Sequence, residues 1–134
     1  MMHSTNYFNT LILVSPDCLV NVGTVPQKPG TIAAIQYDIL SERPYQMTSD
    51  DLLIMAEARR KGVKHEKLAE FEKAYFSRPH ACLRASPLVR SYGWGIHHDT
   101  SGRIALVGCE TEEYARLVGD PRVRKVSGMR SSRA

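Results

Sequence analysis

Apolar positions change their spacing several times along the chain, and each change predicts an element. Phe8 to Val14 is a nearly continuous apolar run, with Asn9, Thr10 and then Pro16-Asp17 bounding it. A short continuous run rich in β-branched and aromatic residues predicts a strand buried on both faces. "CLVNVGTVPQKPG" follows, where two prolines and two glycines predict a loop. Ile32, Ile35, Ile39 and Leu40 then fall on one helical stripe, which Pro44 ends. In "MTSDDLLIMAEARRKG", Thr48 is placed to cap a helix, Asp50 and Asp51 oppose its positive end, and Arg59, Arg60 and Lys61 occupy its last turn. Gly62 suits the left-handed position that closes it.

Leu68, Phe71 and Tyr75 form the stripe of a third helix, bounded by Pro79. "SPLVRSY" predicts one helical turn with Ser86 as cap and Pro87 at the first position. The period then drops to two: Trp94, Ile96 and His98 alternate with Gly95, His97 and Asp99. "DTSG" predicts a type I turn with a glycine bulge, and Ile104 and Leu106 resume one face opposite Ala105 and Val107. The result is a β-hairpin over 94–107. Thr111 caps a last helix with Tyr114, Leu117 and Val118 as its apolar face and Gly119 and Pro121 as its stop. Weak strand character surrounds Val123 and Val126, and a basic tail occupies about 127–134. Strands and helices are segregated rather than alternating. The expected fold is therefore α+β: a small antiparallel sheet that includes the hairpin, with three to four helices packed on one face.

The length of 134 residues fits one domain over 1–134, and 43% hydrophobic with 24% charged residues is ordinary globular usage. The formal net charge of +4 is unevenly spread. Residues 121–134 hold Arg122, Arg124, Lys125, Arg130 and Arg133 with no acid, leaving 13 basic against 14 acidic residues in 1–120. A second local excess lies in 78–103, where Arg78, Arg84, Arg90, Arg103, His80, His97 and His98 face only Asp99. Three widely spaced cysteines, Cys18, Cys82 and Cys109, argue against a disulfide framework and for a reducing compartment. The apolar run Leu11–Val14 is too short for a membrane span or a signal segment, so the expected location is cytoplasmic, with no membrane partner.

Candidate chemistry concentrates around the hairpin. Trp94 together with Arg84, Arg90, His97 and Arg103 combines stacking surface with anion-pairing groups, which suits a small anionic or nucleotide-like ligand. The plain alternative is that the single Trp anchors the core. Adjacent strand residues point to opposite faces, so His97 and His98 are not expected to share an ion. A set of His80, Cys82 and one hairpin histidine has no standard zinc spacing. No metal or cofactor is expected. Asp50 and Asp51 read as helix capping rather than paired catalytic acids, and Cys109 reads as packing. The favoured function is a non-catalytic binding module for such an anion. The alternatives are a protein or nucleic-acid interaction module working through the basic end, with nucleic acid the weaker partner, and a small enzyme using Cys82 or the histidines. The balance leans away from catalysis, and nothing in the pattern indicates an oligomeric state.

The blocks "CLRASPLVRSYGWGIHHDTSGRIAL", "TSDDLL" and the terminal "MRSSRA", with "TNY" and "GTVP", resemble a family of small bacterial proteins known only as a domain of unknown function. The resemblance covers nearly the whole chain, and "RASPL…YGWG" is its most specific part. It implies a single-domain cytosolic protein, and it implies no activity and no functional residue.

Overall fold

The first apolar run becomes an inner strand of a four-stranded sheet. In the computed structural model, which describes residues 4–130, β1 (Thr10–Leu13) is flanked by β2 (Trp94–His98) and β4 (Arg124–Ser127), and β3 (Ile104–Gly108) lies beyond β2. β1 and β2 are antiparallel with Thr10 opposite His98 and Ile12 opposite Ile96. β2 and β3 are antiparallel with Trp94 opposite Gly108 and His98 opposite Ile104. β4 runs parallel to β1, with Thr10 opposite Arg124. The sheet is therefore mixed, not wholly antiparallel as its local patterns suggest. Pairing direction across such a long sequence separation has no local signature. β1 itself is shorter than the Phe8–Val14 run, and Phe8 is 59% exposed.

The hairpin turn forms as its residue types dictate. Asp99 N–H donates to the Arg103 carbonyl at 2.9 Å, and Gly102 N–H donates to the Asp99 carbonyl at 3.0 Å. The Asp99 carboxylate also accepts the N–H groups of Ser101 and Arg103, both at 2.9 Å.

Helices α1 (Ile32–Glu42), α2 (Ser49–Lys61), α3 (Leu68–Phe76), α4 (Pro87–Ser91) and α5 (Glu112–Gly119) complete the fold, with short 3-10 turns at His65–Lys67 and Leu83–Ala85. Strand alternation sorts the sheet into two faces. Ile12, Ile96 and Ile104 pack with Ile35, Ile39, Leu40, Leu52 and Val89 from α1, α2 and α4. Leu11 and Val107 point the other way and pack with Leu117 of α5 and with Val123. α5 thus covers the face opposite the other helices, so the sheet is sandwiched rather than covered on one face. Within α5 only Leu117 is buried, and Val118, expected on its apolar face, is 43% exposed.

Capping follows sequence closely. Thr48 accepts the Asp51 N–H at 3.3 Å, and the Asp51 side chain accepts the Thr48 N–H at 3.0 Å, a reciprocal capping box. Gly62 closes α2. Ser86 caps α4, accepting the Leu88 N–H at 3.2 Å, with Pro87 at its first position. Thr111 caps α5 through the Tyr114 N–H at 3.1 Å. α3 differs from its expected stripe: Leu68, Phe71 and Tyr75 are half-buried, and the buried residue is Phe76.

The start of the basic tail is part of the fold. Gly128 N–H donates to the Leu13 carbonyl and Met129 N–H to the Arg84 carbonyl, both at 2.8 Å. Residues 131–134, Arg133 among them, lie outside the described residues.

Candidate functional site

The five residues expected to form a hairpin site are not gathered by the fold. Trp94 sits opposite Gly108 at one end of the hairpin, while Arg103 follows the turn at the other. Five strand residues at about 3.3 Å each separate the two by roughly 17 Å. His97 points to the face opposite Trp94. Arg84 donates through Nε to the Ser127 carbonyl at 2.6 Å, which fixes the end of β4. Arg90 is half-buried in the last turn of α4.

Trp94 is covered by the chain itself. Its Nε1–H donates to the Thr24 carbonyl at 2.9 Å, and Tyr37 of α1 lies with its ring centroid 5.6 Å away. A Cβ on Gly23 would come within 2.9 Å of the indole, so this stretch of loop lies directly on the ring. The glycines beside Trp94 answer two different demands. Gly93 has φ of 77°, and a Cβ there would collide with the Val22 carbonyl. At Gly95 a Cβ would lie 2.6 Å from the Tyr114 ring.

The two histidines diverge. His97 Nδ1 is 2.8 Å from the hydroxyl of Tyr45, a residue held at φ of 58°. Burial lowers the His97 pKa, partly opposed by Asp99 and Glu113. His98 is fully buried, with the Tyr7 ring edge-on at 5.4 Å. Burial pushes its pKa down to about 4.

The chemistry-bearing side chains that do come together lie on the outer side of α2, where α3 and residues 80–87 pack against it. Two clefts adjoin there. One, of about 260 Å³, is lined by Glu57, Lys61, Phe71, Tyr75, Arg78 and His80. The other, of about 220 Å³, shares Glu57, Tyr75 and His80 and continues to Gln36, Cys82 and Ser86. His80 stacks on Tyr75 with ring centroids 3.6 Å apart and planes 4° from parallel. The distance of 2.8 Å from His80 Nε2 to the Tyr75 carbonyl assigns the proton to Nε2, because a carbonyl only accepts. Lys61 Nζ lies 5.6 Å from the Phe71 ring centroid. Glu57 pairs with Arg60 at 2.8 Å. The Tyr75 phenol is raised by burial first, then by Glu57 and Asp50. At the inner end, Cys82 Sγ is 3.3 Å from the Tyr7 hydroxyl, and Ser86 Oγ donates to Gln36 Oε1 at 2.6 Å.

Periodicity alone assigns Phe71 and Tyr75 to an apolar stripe, and Lys61 to the end of a helix. Their gathering with Arg78 depends on how α3 is laid on α2, which no local spacing encodes. Of the cationic excess in 78–103, only Arg78 and His80 line the groove. Among the described residues no group of three or more His, Cys, Asp or Glu side chains is arranged to hold a metal ion, and no helix is long and apolar enough to cross a membrane.

The blocks that carry the family resemblance tie to one another across the fold. Thr5 of "TNY" donates through N–H and Oγ1 to the Asp50 carboxylate of "TSDDLL", both at 2.7 Å. Thr24 of "GTVP" receives Trp94 of "YGWG". Arg84 of "RASPL" accepts from Met129 of the terminal block. No curated protein and no solved structure matches the chain. A family model described as a family of unknown function (DUF6157) matches residues 2–134, nearly the full length. The chain belongs to that family of unknown function.

Proposed function

We propose that the groove between α2, α3 and residues 80–87 binds a small aromatic anion, nucleotide-like in joining a planar ring to a phosphate or carboxylate, and does so without turnover. The observation that carries this reading is the merging of two clefts around the stacked Tyr75–His80 pair. The aromatic rings of Phe71, Tyr75 and His80 offer stacking surface, and Lys61 and Arg78 offer cations at the same opening. The Cys82 thiol is engaged with the Tyr7 hydroxyl rather than with a base, which favours holding a ligand over attacking it. Free Cys18, Cys82 and Cys109 are in keeping with a reducing cytosol as the place of action.

The test is a thermal-shift and calorimetric panel of a nucleoside monophosphate, an aromatic carboxylate and inorganic phosphate. The monophosphate should protect most and phosphate least. Arg78→Ala and Phe71→Ala should each weaken binding at least tenfold, equivalent to about 1.4 kcal/mol. Arg103→Ala, on the hairpin turn, should leave it unchanged. A flat response across the panel, or full affinity in both groove variants, would overturn the reading.

A further inference from the structure

Cys18 and Cys109 are remote in sequence, yet their segments meet at the Trp94 end of the sheet. Cys18 lies in the loop after β1, and its thiol donates to the Val20 carbonyl at 3.5 Å. The Val20 side chain lies against Gly93, where a Cβ would sit 3.2 Å from it. The Gly93 carbonyl in turn accepts the N–H of Cys109 at 3.0 Å. Two further ties hold the same segments together. Glu110 accepts the Gly23 N–H at 2.7 Å, and the Tyr114 hydroxyl accepts the Val14 N–H at 3.0 Å. Both thiols are half-buried and free. Both also reach Tyr114 electrostatically, where they add to the effect of burial in raising its phenol.

We propose that Cys18 and Cys109 form a reversible intramolecular disulfide, a redox modification site that fastens residues 15–24 to the end of β3. A disulfide needs its two Cα atoms within about 4.4–6.8 Å. Residues 14–31 contain no helix or strand, so Cys18 closes on Cys109 without breaking a regular element. The oxidant is a low-molecular-weight disulfide of the glutathione type. The Cys18 thiolate attacks one of its sulfurs, the small S–S bond breaks, and one small thiolate leaves and takes up a proton. Cys109 then loses its proton and attacks the Cys18 sulfur of the mixed disulfide, expelling the second small thiol. Two protein thiols are oxidised by two electrons, and one small disulfide is reduced to two thiols. Burial, with Glu110 and Cys18 adding, raises the Cys109 thiol, which suits it to the second step rather than the first.

The same loop covers the only Trp in the chain through Gly23 and Thr24, so closing the disulfide has an optical readout. The full chain is treated with oxidised glutathione, alkylated, and measured by intact mass and peptide mapping. The expected product has lost two hydrogens, carries a Cys18–Cys109 cross-link, and retains an alkylatable Cys82. Acrylamide quenching of Trp94 should fall on oxidation and recover with dithiothreitol. Cys109→Ser, verified as folded by circular dichroism, should yield only a glutathione adduct on Cys18, and Cys18→Ser, verified likewise, should yield no cross-link and little adduct on Cys109. Glutathione adducts alone in the wild-type chain, a cross-link that includes Cys82, or covalent dimers would overturn the proposal.

Discussion

His98 Nε2 is the only buried side-chain nitrogen or oxygen among the described residues without a hydrogen-bond partner. Its Nδ1 is 3.3 Å from the Ile96 carbonyl. A neutral imidazole tolerates this setting and a charged one does not, which is why its pKa falls to about 4 from an ordinary 6.5. The folded state therefore binds this proton more weakly than the unfolded chain. Stability from His98 is fully present above about pH 6.5 and is lost as the pH falls toward 4. Between pH 7.5 and 4.5 the wild-type chain should lose about 2–3 kcal/mol more than His98→Leu, as read from urea unfolding at both pH values. Equal losses would mean that the ring reaches water when folded. The sequence shows that neighbouring strand histidines diverge. It does not show which of them faces the core, because strand alternation fixes only their opposition.

At the scale of elements, α2 has two N-terminal carboxylates with separate tasks. Asp51 completes the capping box, as its spacing from Thr48 predicts. Asp50 turns inward and holds the N-terminal strap, accepting from Thr5 twice and from Ser4 Oγ at 2.8 Å. Thr48→Ala should cost about 1 kcal/mol. Asp50→Ala should cost about 3 kcal/mol, because it strips several charge-assisted bonds from a buried site. Equal midpoint shifts in denaturant, with unchanged slope, would show that the strap contacts of Asp50 contribute no more than a single cap. The contrast also marks where sequence reading stops. Caps, helix stripes and the hairpin turn are local, and Thr31, Thr48, Ser86 and Thr111 all cap the helices that follow them. Asp50 to Thr5, Trp94 to Thr24 and Arg84 to Ser127 span long separations, and those contacts engage Trp94 and Arg84 within the fold. Trp94 and Arg84 carry ligand-binding residue types and are occupied by their own chain. The groove side chains carry ordinary helix patterns and are open.

For the whole molecule, the order of chain and the order of sheet are at odds. Thr10 pairs with His98 on one side and Arg124 on the other, so the sheet is knit from the two ends of the described chain. Non-local pairing slows folding, because loop-closure entropy is lost before contacts repay it. Refolding from urea should take milliseconds to seconds rather than microseconds, with α1 and α2 gaining helical signal no later than the sheet closes over Trp94. Stopped-flow circular dichroism and Trp94 fluorescence would check this, and a microsecond single phase in both would refute it.

Because β1 is flanked by two strands made long after it, a nascent chain emerging from the ribosome carries "TLIL" with both backbone edges unpaired until β2 has been synthesised, and with one edge unpaired until Arg124–Ser127 follow. A chain stalled before Arg124 leaves one of those edges permanently open. Such fragments, more than any substituted full-length protein, should be the species that chaperones hold and that form inclusion bodies when translation is interrupted.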